Sequence, residues 1–528
     1  VTRRSWRLAD RTAFALAPVL ALLTMLAWVF ASPIGAAPDD DFHLVSTWCA
    51  GPSAGETCLQ VEDDRRIRMV PEALDGIACF APDPTRSAAC QGDDFSWSTD
   101  VLVDSDRANV VGAYPPVFYA VMGALTTDDI QASALWMRVL TVVVFLGILV
   151  ALFLLLPAER RPMVAWGWLI TTIPLGVFIL ASNNPSAWAV IGVGTSWMAL
   201  LGWFESTGRR QWALGALFVL GVIMAAGSRG DAALYSGLGM VLVLVLTFVH
   251  RRSYYLRAIL PVVMGVVALA FFLSARQSRS GLGGFQGGSN VGEGSSTGTI
   301  STGAGVGATT EALDPEQALS GAGLLAYNLL NAPYLWSGAL GEWALGWLDT
   351  SMPAVVSLAA VAAFVAVGFV GIARMTPRKA IALGLLVAVL WALPVYVLQA
   401  GGDLVGEQVQ PRYLLPLIVV LGGLLLLTQK GRPITLTRAQ RFTVIAALAG
   451  SHFVALHLNI RRYVTGIDEA GVNLDAGLEW WWTGMLSPNV VWIGGSIAYL
   501  GLLVLLSRLL DRSPAADRDA IGHELRAN

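Results

Sequence analysis

Lysine is almost missing from this sequence, with Lys379 and Lys430 alone among 528 residues, and charged side chains of every kind make up only 13% of it. That scarcity excludes a nucleic-acid partner, because no face-sized cluster of basic residues is present and the net charge is -3. Cysteine is also scarce: all four residues, Cys49, Cys58, Cys79 and Cys90, fall between positions 49 and 90. No phosphate-cradling glycine motif such as GxxxxGKS is visible, so nothing in the chain calls for an energised nucleotide.

Apolar residues fill the space that charge leaves. They make up 55% of the chain, and the mean hydropathy is +0.62, a balance that a water-soluble protein of this size does not show. A bilayer core takes about 20 mainly apolar residues per helix, since a backbone group left unpaired in lipid costs several kcal/mol. Runs of that kind lie at 13–32, 132–156, 163–182, 186–204, 211–227, 231–249, 257–274, 352–373, 380–399, 412–428, 441–458 and 489–508. They predict an all-α polytopic membrane protein with about twelve transmembrane helices.

Basic residues beside helix ends are retained in the cytoplasm. Arg3, Arg4, Arg7 and Arg11 precede the first run, and alternate short loops carry Arg160 and Arg161, Arg209 and Arg210, Arg251, Arg252 and Arg257, Arg374, Arg378 and Lys379, and Lys430, Arg432, Arg438 and Arg441. The expectation is a multi-pass membrane protein with both termini cytoplasmic. Its divisions are a cytoplasmic N-terminus and first helix (1–32), an external loop (33–131), helices two to seven (132–274), a second external loop (275–351), helices eight to twelve (352–510) and a cytoplasmic tail (511–528). A cleaved signal peptide ending at Gly35-Ala36-Ala37 is the alternative for the start, but the apolar run from Ala13 to Ala31 is longer than such a peptide's core and suits a retained helix.

The cysteines agree with this topology, because disulfides persist in oxidising compartments and all four cysteines fall in the first external loop. The simplest of the three pairings is Cys49 with Cys58 and Cys79 with Cys90; a zinc site is the competitor, at spacings too wide for CxxC pairs. Between Ser278 and Thr310 the chain is rich in Gly, Ser and Thr and cannot bury enough apolar surface to fold alone, so it reads as a tether, with a lid as the alternative.

Chemistry is sought where ionisable groups survive in so apolar a chain. Helix centres are nearly free of them, whereas Arg138, Arg229, Asp231, Asp403, Glu407 and Arg412 map near external helix ends at one depth. That pattern suits chemistry at the outer surface better than an ion pathway through the membrane. Asp39-Asp40-Asp41 follows the first helix and Pro38, with His43 close behind. Adjacent acids raise at least one pKa, which favours a general base, and Asp39 with Asp41 could instead hold a divalent cation such as Mg, Mn or Ca. The plainer reading is an acidic helix N-cap. Arg138, Arg229 and Arg412 could each hold a lipid phosphate, or form interfacial ion pairs such as Arg229 with Asp231. Tyr114-Pro115-Pro116-Val117-Phe118-Tyr119 precedes an apolar stretch too short to span and is expected along the membrane surface.

Several separated motifs then coincide. Pro38-Asp39-Asp40-Asp41-Phe42-His43 resembles a P-D-E-x-x-H pattern, and Tyr114 to Tyr119, Asn184-Pro185, Ser228 to Tyr235 and Gln410-Pro411-Arg412-Tyr413-Leu414-Leu415-Pro416 follow it in order. Together they resemble a bacterial family of predicted membrane proteins, the domain-of-unknown-function family twenty-one forty-two, over residues 30 to 430. That family in turn resembles the GT-C superfamily of glycosyltransferases, which use polyprenyl-phosphate sugars outside the cytoplasmic membrane and carry an essential acid in the first external loop. The resemblance implies a GT-C-like fold and a catalytic role for Asp40 or Asp39. This chain departs from the pattern in having Asp rather than Glu at position 40 and a third acid at Asp41.

The expected activity is therefore inverting transfer of a sugar from a polyprenyl phosphate to a cell-envelope glycan or lipid acceptor. Asp40 or Asp39 would act as base, Asp41 and His43 would support it, and Arg138, Arg229 and Arg412 would hold the donor phosphate. Tyr114, Tyr119, Asn184, Tyr235, Gln410 and Tyr413 would line the acceptor or donor pocket. A transporter or flippase of lipid-linked glycans, and a non-enzymatic envelope-assembly protein, are the other classes the sequence leaves open.

Overall fold

Each long apolar run closes its own backbone hydrogen bonds as a helix, the solution that lipid demands. The computed structural model describes residues 8–61, 64–81, 83–275, 321–373, 375–407, 409–428, 434, 436–482 and 484–511. Helix α1 (Leu8–Phe30) leads through an irregular segment to α2 (Asp40–Trp48). The loop region that follows holds α3 (Ala54–Thr57), β1 (Leu59–Gln60), β2 (Arg68–Pro71), α4 (Glu72–Asp75), β3 (Leu102–Ser105) and α5 (Val117–Gly123). Next come α6 (Ile130–Leu155), α7 (Arg161–Leu169), α8 (Leu175–Leu180), α9 (Pro185–Glu205), α10 (Gly208–Ala226), α11 (Gly230–Thr247) and α12 (Arg252–Ser274). The last group is α13 (Gly321–Ser337), α14 (Ala354–Ile372), α15 (Pro377–Gly401), α16 (Pro411–Leu425), α17 (Arg438–Val464) and α18 (Pro488–Asp511).

Among the described residues ten helices are long and apolar enough to cross a membrane, and α16 is a shorter apolar helix. The protein is thus an all-α polytopic membrane protein. The run at 163–182 is not one helix but the pair α7 and α8. Thr171 and Thr172 turn their hydroxyls back onto the carbonyls of Gly167 and Trp168, at 2.7 and 2.8 Å, and Pro174 cannot continue the ladder. The segment read as the second loop contains α13, whose Leu324, Asn328, Ala332 and Leu335 are buried at helical spacing. Its Gly/Ser-rich part lies outside the described residues.

Tyr114 to Tyr119 does not lie along a surface. Tyr114, Phe118 and Tyr119 are buried, and the backbone N–H groups of Val117 and Phe118 both reach the carbonyl of Gly227 at the end of α10. The proline pair seats α5 inside the fold because that carbonyl offers the partner its first turn needs. The loop region before it is stapled by Cys49–Cys58 and Cys79–Cys90, and β1, β2 and β3 form a small antiparallel sheet in that order. Arg462 clamps the second disulfide loop to the bundle: its guanidinium pairs with Asp349 at 2.7 Å and donates to the carbonyls of Phe80, Asp83 and Arg86.

Helix α9 is the most enclosed span, with 94% of its apolar window buried, and glycine lets its neighbours approach it. A Cβ on Gly192 would stand 2.5 Å from the backbone of Gly221 and of Ala225 on α10. Close packing of this kind replaces the hydrophobic drive that is missing between helices in lipid. Gly192→Ala is therefore expected to lower stability by about 1–3 kcal/mol, whereas Gly147→Ala, whose new methyl would meet nothing within 4 Å, should be neutral. Thermal unfolding of both variants in detergent checks the pair.

Candidate functional site

Between α1 and α2 the chain runs without regular structure from Ala31 to Asp39, almost wholly buried. Without a helical ladder, most carbonyls of such a stretch must be met from elsewhere. From Val29 to Pro38 every carbonyl has a partner. Arg138 donates to Val29, Ser32 and Pro33 at 3.2, 2.9 and 2.8 Å, Trp482 to Phe30 at 2.9 Å and Asn459 to Ala31 at 3.0 Å. Gln91 donates to Ile34 at 2.7 Å, Trp347 to Gly35 at 2.9 Å and Tyr463 to Ala36 at 3.4 Å. The Asp40 N–H closes onto Ala37 at 3.1 Å, and Pro38 accepts from Arg412 at 3.0 Å and Asn184 at 2.8 Å. Gly35, at φ +86, is required here because a Cβ would lie 2.9 Å from the carbonyl of Ile77.

This strap delivers three adjacent carboxylates into three different settings. Asp39 sits at φ 63, ψ 16, a left-handed conformation uncommon outside glycine. Its side chain does not cap α2; it meets Arg412 at 2.6 Å and keeps 18% of its surface open. Burial, the largest single influence, would raise its pKa, but the charge and hydrogen bond of Arg412 together with the other basic groups nearby hold it below the usual carboxylate value. Asp40 is fully enclosed. Its Oδ2 accepts from the Ala37 N–H at 3.3 Å, its Oδ1 has no hydrogen-bond partner among the described residues, and Arg138 stands 3.9 Å away, too far for a hydrogen bond. Burial pushes its pKa up to about 7 despite that arginine. Asp41 is gripped by Arg107 through two bonds of 2.8 and 3.1 Å.

Arg412 comes from the first turn of α16 and Arg229 from the residue before α11. Both guanidiniums lie over the ring of Tyr413, at 5.0 and 4.7 Å, and Arg229 also faces Tyr114 at 5.7 Å. Arg229 is paired with Asp231 at 2.9 Å and bonds Ser186 at 3.3 Å. The Nε of Arg412 has no partner among the described residues. His43 shares a 2.9 Å hydrogen bond with the hydroxyl of Tyr119; burial lowers its pKa to about 3, so it stays neutral. A reachable carboxylate, two arginines flanking a tyrosine and a set of enclosed aromatic rings are thus drawn from sequence positions far apart.

A family model described as "Predicted membrane protein (DUF2142)" matches residues 22–421. The chain belongs to this family. No curated protein and no solved structure matches it. The DUF2142 region covers the strap, the three acids and Arg138, Arg229 and Arg412, but it stops before Asn459, Tyr463 and Trp482, which hold the strap from α17 and the segment before α18.

The residues singled out from sequence converge on this end of the bundle, with changes of role. Asp40, the first choice as base, is sealed from any acceptor, and Asp39 is the open carboxylate. Arg138 is not placed to bind phosphate, since its two terminal nitrogens are committed to three carbonyls and the side chain is only 1% exposed, although its Nε has no partner among the described residues. His43 orients Tyr119 rather than a carboxylate. Asn184 caps α9 through the Ser186 N–H while holding Pro38, Tyr235 is buried near Arg229 and Asp231, and Gln410 is half-buried before α16. A cation between Asp39 and Asp41 does not fit, because each carboxylate already faces its own guanidinium; among the described residues no group of three His, Cys, Asp or Glu is arranged for a metal. Sequence reasoning missed Arg107, Gln91, Trp347, Asn459, Tyr463 and Trp482. No spacing announces them, and the only signal is that each is a long donor-bearing side chain near a helix end or in a loop.

Asp40 gives the site a pH signature. Its folded pKa, about 7, lies above the ordinary carboxylate value, so the fold favours the protonated form. The stability it contributes is complete below about pH 4 and is lost as pH rises through about 7. Thermal unfolding in detergent between pH 4 and 8 should therefore show a declining midpoint that flattens in Asp40→Asn; equal slopes in the two proteins would contradict the assignment.

Proposed function

We propose that this DUF2142 protein is an inverting glycosyltransferase that moves a sugar from a polyprenyl phosphate to a cell-envelope glycan or lipid acceptor. The site would face outward from a bacterial cytoplasmic membrane with both termini inside. The observation that carries the reading is the Asp39–Arg412 pair: a carboxylate held open on a left-handed backbone, 2.6 Å from a buried arginine whose Nε has no acceptor among the described residues. A buried donor without an acceptor costs about 1–3 kcal/mol, and a phosphate oxygen is the acceptor best matched to guanidinium.

In this mechanism the acceptor hydroxyl oxygen attacks the anomeric carbon from the face opposite the leaving group. Asp39 takes the hydroxyl proton as the new glycosidic bond forms. The bond from the anomeric carbon to phosphate oxygen breaks, and both its electrons leave with the polyprenyl phosphate. Arg412, supported by Arg229 across Tyr413, meets the charge that develops on that phosphate. Asp40 has the pKa nearer neutrality, but a base must first reach its proton, and geometry favours Asp39.

Asp39→Asn is the sharpest test, because asparagine tolerates the left-handed backbone and keeps the side chain's size while removing the base and its charge beside Arg412. Transfer from a polyprenyl-phosphate sugar to an envelope acceptor, followed in membranes, should fall by about 10²–10⁴-fold in Asp39→Asn and by less than about tenfold in Asp40→Asn. Asp39 loses its negative charge as pH falls through its depressed pKa, so the acid limb of wild-type activity should lie below about pH 4. An acid limb near pH 7, or full transfer by Asp39→Asn, would overturn the assignment.

A further inference from the structure

At the end of the bundle opposite the acids, cations divide into two kinds. Arg160 pairs with Glu205 and donates to the Thr428 carbonyl, Arg161 donates to Phe153, Arg210 to Leu154 and Arg257 to Phe204. Lys379 donates to Gly371 and Leu425. These groups finish helix ends. Arg251 and Arg252, like Arg209, Arg378 and Arg438, are exposed and among the described residues have no carboxylate or carbonyl partner for their guanidiniums; what sets this adjacent pair apart is the cavity beside it.

With His250, Tyr255, Leu256 and Ile259 they line an open cavity of about 420 Å³ at the start of α12. The hydroxyl of Tyr255 and Nδ1 of His250 share a 3.0 Å hydrogen bond that fixes its rim. From the cavity an apolar stripe runs along α12 through Leu256, Ile259, Val263 and Val266, each more than half exposed, and only 17% of the helix's apolar window is buried. Charge and apolar surface are thus continuous on one face.

We propose that Arg251 and Arg252 bind the headgroup of an anionic phospholipid, whose acyl chains lie along that stripe of α12. A phosphate diester offers two oxygens in the geometry that guanidinium matches, the helix N-terminus adds partial positive charge, and uncovered basic residues beside a span attract anionic lipid. A soluble anion would satisfy the arginines but make no use of the apolar wall that Leu256 and Ile259 give the cavity. This inference is independent of the transfer reading and uses none of its residues.

The test uses the full chain in nanodiscs of equal parts phosphatidylglycerol and phosphatidylcholine, with retained lipid read by native mass spectrometry. Wild type should retain phosphatidylglycerol preferentially. Arg251→Gln/Arg252→Gln should reduce that preference about twentyfold, and Arg209→Gln/Arg438→Gln, which removes the same charge elsewhere at this end, should leave it unchanged. Equal losses in the two double variants would overturn the site in favour of diffuse surface charge, and displacement of the lipid by millimolar inorganic phosphate would overturn it in favour of a soluble anion. If the first double variant fails to fold, Arg252→Gln alone should give a loss of about fivefold, and no loss would overturn the proposal.

Discussion

The structure depends on satisfying a buried, irregular backbone. The strap from Val29 to Pro38 leaves α1 without a helix to close its hydrogen bonds, and leaving one buried carbonyl unmet costs about 1–3 kcal/mol. Five such failures would cost about 5–15 kcal/mol, as much as the whole stability of an ordinary domain. Side chains from α6, α16, α17, the disulfide loop and the segments before α9, α14 and α18 therefore have to arrive together. Holding the strap and assembling the helices are one requirement seen from two sides. The left-handed Asp39 is held within this frame, and backbone strain of that kind persists where its surroundings over-determine it.

The same constraint explains why the arginines have separate duties. Arg138 and Arg412 both touch the strap, and the Nε of each has no acceptor among the described residues, but Arg138 has its terminal donors filled by three carbonyls, while Arg412 gives one terminal nitrogen to Pro38 and another to Asp39. One arginine completes the backbone; the other joins the backbone to the exposed acid. Arg229 belongs to a third arrangement, neutralised by Asp231 and stacked on Tyr413, where it supports Arg412 from the far side of the ring.

Much of this was legible because charge is rare in an apolar chain. Among the described residues ten of the twelve apolar runs are helices long enough to span, and the convergence of Asp39, Arg229 and Arg412 follows from their shared depth at helix ends. The paired staples also follow from the confinement of cysteine to one loop. What was not legible has physical reasons. Hydropathy counts apolar residues without seeing that Thr171, Thr172 and Pro174 break one run into α7 and α8. Which acid stays open depends on the φ of Asp39 and on the Ala37 N–H that turns Asp40 inward, neither of which composition encodes. The strap's holders at 91, 347, 459, 463 and 482 have no common spacing, because only the assembled bundle makes them neighbours.

The charge balance of the acidic end gives Asp40 a place in the proposed chemistry even though it cannot touch an acceptor. Asp39, Asp41 and Asp231 each face one arginine, Arg412, Arg107 and Arg229 respectively. Arg138 is left with Asp40, at 3.9 Å and without a hydrogen bond between them. When Asp40 is protonated the cluster carries one uncompensated positive charge in a water-poor setting, and when it is ionised the cluster is neutral. With its pKa near 7, the protonated state belongs to the acid side of neutrality, and an anionic phosphate entering beside Arg412 favours retention of that proton through the same field. In the proposed mechanism Asp40 would act on the charge around Arg412 rather than on the acceptor's proton, which would account for a carboxylate so enclosed beside one left open.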